Sequence, residues 1–199
     1  MINDMRQSGR THAALAHLDA FDLQYPRSND AAVMRADCLV DIKAFVEAAT
    51  IYRKLLKTET AAAAYAGLGR IEGLNDRWAG AVSEFGQAVA RAPTSSTYLN
   101  DYGYALLKAG NLEQALFRTR QAAELAPTDV RARNNLILAL SATGDAAGAA
   151  ALLAAITDPV ERADVRAAIA AAATTTAASA TPGALGTRPA QMVVDPFAQ

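Results

Sequence analysis

The chain has 199 residues, a formal net charge of −1 and a sequence in which 52% of the residues are hydrophobic. Its 19 basic and 20 acidic residues give none of the basic footprint that nucleic-acid phosphates require. No uncharged apolar run reaches the ~18 residues of a membrane-spanning helix, and the single cysteine, Cys38, excludes an internal disulfide. The length fits one elongated domain with a tail.

Apolar residues recur at helical spacing along most of the chain, in pairs of short segments. Gly9-Arg10, Ala14, Leu18, Phe21 and Pro26 read as the second half of a first pair, about residues 1–28. Met1 to Ser8 then supplies only the last part of its first helix, so the pattern predicts a continuation upstream. The next pair, about 29–61, carries Ala36, Leu39, Phe45, Ala48, Tyr52 and Leu55, with Lys43 in the turn where a glycine is expected. Cys38 reads as a small, buried structural thiol of this unit.

Pro93 and Pro127, 34 residues apart, close the two clearest units, about 62–95 and 96–129. Tyr65, Leu68, Gly69, Ala81, Phe85 and Ala88 in the first recur as Leu99, Tyr102, Gly103, Ala115, Thr119 and Ala122 in the second. Gly67, Gly69 and Gly103 fall inside helices, where small residues let two helices approach. Gly110 can end a helix in the left-handed conformation, Asn111 with Gln114 reads as a capping box, and Asp129 as the cap of the following helix. Trp78 opens a second helix and, like Tyr65 and Tyr25, reads as a packing residue. A last pair, about 130–158, holds Leu136, Leu140, Gly144-Asp145, Ala149, Leu153 and Ile156, with Ile137 at the glycine position.

Asp158-Pro159-Val160-Glu161 predicts a helix start, with Glu161 reaching back to the cap. Val160, Ala163, Ala167 and Ala170 form the apolar stripe expected of a capping helix over 159–173. Residues 174–199, rich in Ala, Thr and Pro, predict a flexible tail. Within it Gln191–Val194 is a short apolar island that could dock on a partner as a linear motif.

Residues of known chemistry do not converge. His12 and His17 lie about 500° apart around one helix and cannot share a metal. No phosphate loop or nucleophile elbow is present, and Glu72, Asp76 and Glu84 read as solvated carboxylates. The sequence therefore predicts no catalytic residues, no metal site and no cofactor.

The 34-residue recurrence resembles the tetratricopeptide repeat. The resemblance implies an all-α fold: a right-handed α-solenoid of helix-turn-helix repeats over 1–173, with a C-terminal capping helix and a flexible tail. It implies a non-catalytic scaffold whose first helices line a concave groove for a protein or peptide. Carried over by position, the groove residues are Arg70 and Leu74; Asn100, Asp101, Tyr104, Leu107 and Lys108; and Arg131, Asn134, Asn135 and Leu138. Tyr104 and Arg131 are anchor types, and Asn134 and Asn135 could pair with a peptide backbone. The subtype that clamps a C-terminal carboxylate has Lys and Asn one turn apart, where this chain has Ala66 and Arg70.

Two runs, Asn100–Leu106 and Arg133–Leu140, look like the core of TadD-type pilus assembly proteins and are similar to the pilotins of type IV pili. That resemblance implies a secretin or pilus-subunit partner, an envelope location on the periplasmic face of the outer membrane, and a lipid anchor upstream. The alternative is a cytoplasmic scaffold or co-chaperone for an unrelated complex.

Overall fold

The computed structural model describes residues 1–25 and 28–179, and all regular structure among them is helical. In chain order the helices are α1 (Ile2–Gln7), α2 (Thr11–Gln24), α3 (Asn29–Asp41), α4 (Phe45–Leu55), α5 (Ala61–Leu74) and α6 (Trp78–Arg91), then α7 (Ser96–Lys108), α8 (Leu112–Leu125), α9 (Val130–Ala142), α10 (Ala146–Ala154) and α11 (Pro159–Ser179). The fold is all-α and of the α-solenoid class, built from successive helix pairs. By packing, the chain divides into two compact units, residues 1–98 and 99 onward, the division falling inside α7.

One backbone device makes the turn within every pair. Gly9, Lys43, Asp76, Gly110 and Gly144 have positive φ and lie 34, 33, 34 and 34 residues apart. At each, two backbone bonds close the preceding helix. For Gly110 they run from its own N–H to Leu107 (3.1 Å) and from the Asn111 N–H to the Leu106 carbonyl (2.9 Å); for Lys43, to Val40 (2.9 Å) and from Ala44 to Leu39 (2.8 Å). This is the Schellman arrangement, which satisfies the last helical carbonyls without side chains. The turns between pairs use side chains instead. Ser28 accepts from the Ala31 N–H, Ser95 from Tyr98, Asp129 from Arg131 and Ala132, and Asp158 from Val160 and Glu161. Thr60, before α5, makes no such bond.

In the first unit, Ala14, Leu18, Ala31 and Cys38 form one core, and Ala36, Val40, Ala48, Tyr52, Leu68 and Ile71 are central to a second. Tyr52 and Phe85 are fully buried, each against a glycine. A Cβ on Gly67 would lie 2.2 Å from the Tyr52 ring, and one on Gly69 would lie 2.9 Å from the Phe85 ring. In the second unit a Cβ on Gly103 would lie 2.6 Å from the Thr119 methyl. One repeat further on, Ile137 replaces the glycine and joins Leu140, Ala149, Ile156 and Val165 in the core, with Leu153 packed against them.

The structure corrects several expectations. Asn111 makes no side-chain cap, and because its own N–H is held by Leu106, Gln114 has no donor with which to complete a capping box. The stripe of α11 is not Val160, Ala163, Ala167 and Ala170, all of which are exposed. Val165 is buried and Ile169 half-buried, because β-branched side chains cover more of the apolar end than alanine does. Glu161 does not reach back to the cap but points to α9. The helix runs on to Ser179, past the expected tail start at 174, as its alanine content favours. Tyr25 is 57% exposed and its ring lies against Phe21, with ring centroids 4.7 Å apart. Pro26 and the Gln191–Val194 island lie outside the described residues.

Candidate functional site

The first helix of each pair carries polar residues that the repeat resemblance assigns to the groove, and the structure sorts them by depth. In the first unit Arg6 of α1 and Arg70 of α5 meet the carboxylates of α3. Arg6 bonds Asp41 through Nε at 2.6 Å and Asp37 at 3.2 Å; Arg70 reaches Asp37 at 3.4 Å and Asp41 at 3.9 Å. Tyr52 donates its hydroxyl to Asp37 at 2.5 Å. Both arginine side chains are nearly buried, at 11% and 12% exposed. Burial opposes the Arg6 charge, yet the bond to Asp41 and the Asp37 charge outweigh it and raise its pKa. Burial, followed by the Asp37 charge, pushes the Tyr52 phenol far above its ordinary range. Two positive and two negative groups answer one another here. Arg70, expected to face a ligand, is thus engaged in an internal network, although its Nε is buried without a hydrogen bond.

In the second unit the expected residues separate. Asn100 is fully buried and Asp101 and Asn135 are 8% exposed. Asn135 donates through Nδ2 to the side-chain carbonyl oxygen of Asn100 (2.9 Å), and Asn100 donates to Asp101 at 3.5 Å. These three amide and carboxylate groups link α7 to α9, and Asn135 is not open to a peptide. Closer to the surface, Tyr104 and Arg131 are half-buried and Lys108 is exposed. Arg131 stands 4.0 Å from Asp101, the outer limit of an ion pair. Asn134 donates through Nδ2 to Glu161 Oε1 (3.1 Å), which also receives a short bond from Arg133. The outer set that a partner could reach is therefore Tyr104, Lys108, Arg131 and Asn134.

Sequence reasoning does not single out Arg6, Asp37, Asp41, Arg133 or Glu161 as members of such a site. Their signal is alternation of charge across successive first helices: Arg6, Asp37 and Arg70 fall about one repeat apart. Of the residues set aside as carboxylates, Glu72 pairs with Arg77 at 2.6 Å, and that bond lowers its pKa. Glu84 is half-buried, and burial, then the Glu72 charge, raises its pKa. Cys38 is buried, and burial raises its pKa. His12 and His17 are exposed. Among the described residues there is no group of three or more His, Cys, Asp or Glu placed to hold a metal, and no helix long and apolar enough to cross a membrane.

Comparison with known proteins agrees with this architecture. The family profile described as tetratricopeptide repeat matches residues 2–66 and 67–119. The TPR repeat-containing protein PA4299 of Pseudomonas aeruginosa is 37% identical over 147 residues, which cover 73% of this chain and 58% of that protein. The chain thus spans under two thirds of the length of that relative. Among solved structures, TTC0263, a thermophilic TPR protein of Thermus thermophilus, superposes with a TM-score of 0.64 at 20% identity, covering 87% of this chain and 95% of the other. MamA of Desulfovibrio magneticus RS-1, from residue 41 to its end, gives 0.61 at 17%, covering 84% and 92%. YrrB, described as a TPR protein with an unusual peptide-binding site, gives 0.56 at 17%, covering 88% of each chain.

Proposed function

Because the chain belongs to the tetratricopeptide repeat family, we propose that it is a non-catalytic scaffold that holds a segment of a partner protein against α7 and α9. Proteins of this family bind proteins or peptides. The observation that supports the reading is the division of the second unit's polar residues into an internal set and an outer set. Asn100, Asp101 and Asn135 tie the helices together, leaving Tyr104, Arg131, Lys108 and Asn134 at accessible depth. A half-buried tyrosine and arginine bury much area at modest entropic cost, as interface anchors do. The peptide-binding site named for YrrB is in keeping with this use of the fold. The test is co-purification with the double variant Tyr104→Ala, Arg131→Ala. Partner recovery falls while the helical circular dichroism is unchanged; undiminished recovery, or lost helicity, would assign these residues to the fold alone.

A narrower reading makes the partner a secretin or pilus subunit, in the manner of TadD-type and pilotin proteins, with the chain in the cell envelope and a lipid anchor upstream. Its support is the pair of runs Asn100–Leu106 and Arg133–Leu140. Burial of Asn100, Asp101 and Asn135 gives those runs a packing reason of their own, so a cytoplasmic scaffold accounts for them equally. Fractionation of the natively expressed protein with mass spectrometry of its partners separates the two. Secretin or pilus subunits in the membrane fraction favour the envelope, and a soluble complex lacking them favours the general scaffold.

A further inference from the structure

We propose that Arg133 and Asn134 form a recognition site for an acidic, extended peptide segment, and that Glu161 of α11 occupies this site as an internal stand-in. The inference rests on the scaffold reading and names the chemistry of its ligand.

A single carboxylate oxygen, Glu161 Oε1, receives both the Arg133 guanidinium and the Asn134 amide. The pairing is incomplete. Arg133 Nε and Asn134 Oδ1 are buried with no hydrogen-bond partner, so α9 presents one unmet donor and one unmet acceptor beside the carboxylate. Buried groups of that kind are normally satisfied. An extended peptide supplies what is missing. Its acidic side chain replaces Glu161 charge for charge, one backbone carbonyl accepts from Arg133 Nε, and one backbone N–H donates to Asn134 Oδ1. The exchange keeps the ion pair and adds two hydrogen bonds.

Glu161 can leave without undoing the helix that carries it. Asp158 caps the first turn of α11, and Arg162 binds the Ile156 carbonyl through Nε at 2.9 Å, so that turn is held by groups other than Glu161. Val165 and Ile169 fasten the helix further on. The Glu161 side chain, at 23% exposed, is the group that swings aside.

The experiment uses the full chain and a dye-labelled peptide of alternating glutamate and alanine, with a glutamine twin as control, followed by fluorescence anisotropy. Glu161→Gln removes the competing charge, and the glutamate peptide then binds about tenfold tighter than to the wild type, as expected for a freed charge-assisted contact. The glutamine peptide shows no gain, and adding Arg133→Gln abolishes the effect. No gain in Glu161→Gln, equal gain for both peptides, or persistence without Arg133 each overturns the proposal. Should Glu161→Gln loosen α11, hydrogen exchange in the wild-type chain decides. There the glutamate peptide slows exchange of the Arg133 Nε–H, which has no partner in the free chain, and the glutamine peptide does not; absence of that difference overturns the proposal. Partner capture through Tyr104 and Arg131 is a separate readout, so the scaffold reading can stand when this one fails.

Discussion

Lys43 and Asp76 stand where three other turns of the chain have glycine, and both take positive φ, 63° and 57°. The same backbone bonds form at all five turns, so the requirement is conformational and a side chain there is carried at a cost. Lys43→Gly removes that strain but loosens the unfolded chain, leaving a net stabilisation of about 0.5–1 kcal/mol, read from thermal or denaturant melting. Gly67 is the opposite case. Its missing Cβ is the space that the buried Tyr52 ring fills, and Tyr52 also bonds Asp37. Gly67→Ala should cost roughly 2–3 kcal/mol by overpacking, measured by the same melts. Glu84 gives a pH signature. Burial and the Glu72 charge raise its folded pKa above 4.5, so its ionisation works against the fold, and stability from this group is lost as pH rises through the acid range. Glu84→Gln therefore raises the melting temperature at pH 7, and the gain disappears below about pH 4, where the native glutamate is already protonated. An unchanged melting temperature at pH 7 would contradict this.

At the scale of elements, two kinds of helix start coexist. Second helices follow a Schellman turn whose backbone already takes the cap residue's N–H, with an added side-chain cap at α10 from Asp145, whereas most first helices are capped by Ser or Asp side chains. Asp129→Ala should thus cost about 1 kcal/mol in a chemical melt, while Asn111→Ala, at a position with no side-chain cap, should cost less than half of that. This difference also explains what the sequence can convey. Asp129, Asp158 and Gly110 are legible because each acts through its own local backbone. Asn111 misleads because its side chain accepts no N–H of α8, and its own N–H, which Gln114 would need, is committed to the carbonyl of Leu106 on the helix before it. The stripe of α11 misleads because periodicity counts alanine as apolar, although two β-branched residues, Val165 and Ile169, cover far more surface.

At the scale of the molecule, the 34-residue recurrence makes the fold class readable, since each pair repeats one solution to the same packing problem. Within the candidate site, the repeat resemblance assigns residues to a groove by position but cannot give depth. Asn100, Asp101 and Asn135 share the face with Tyr104 and Arg131, yet tertiary packing turns the first three into an internal amide ladder. Arg70 likewise belongs to a network whose other members, Arg6, Asp37 and Asp41, come from helices one or two repeats away. What distinguishes a partner-facing residue is accessibility, and here that leaves the surface of α7 and α9 around Tyr104. The most direct measurement is photo-crosslinking in cells expressing the full chain, with a crosslinking amino acid at Tyr104 and, as control, at the exposed Ala79 of α6. The scaffold account predicts a discrete protein adduct from position 104 that is absent from position 79. No adduct at 104, or the same adducts from both positions, would contradict it.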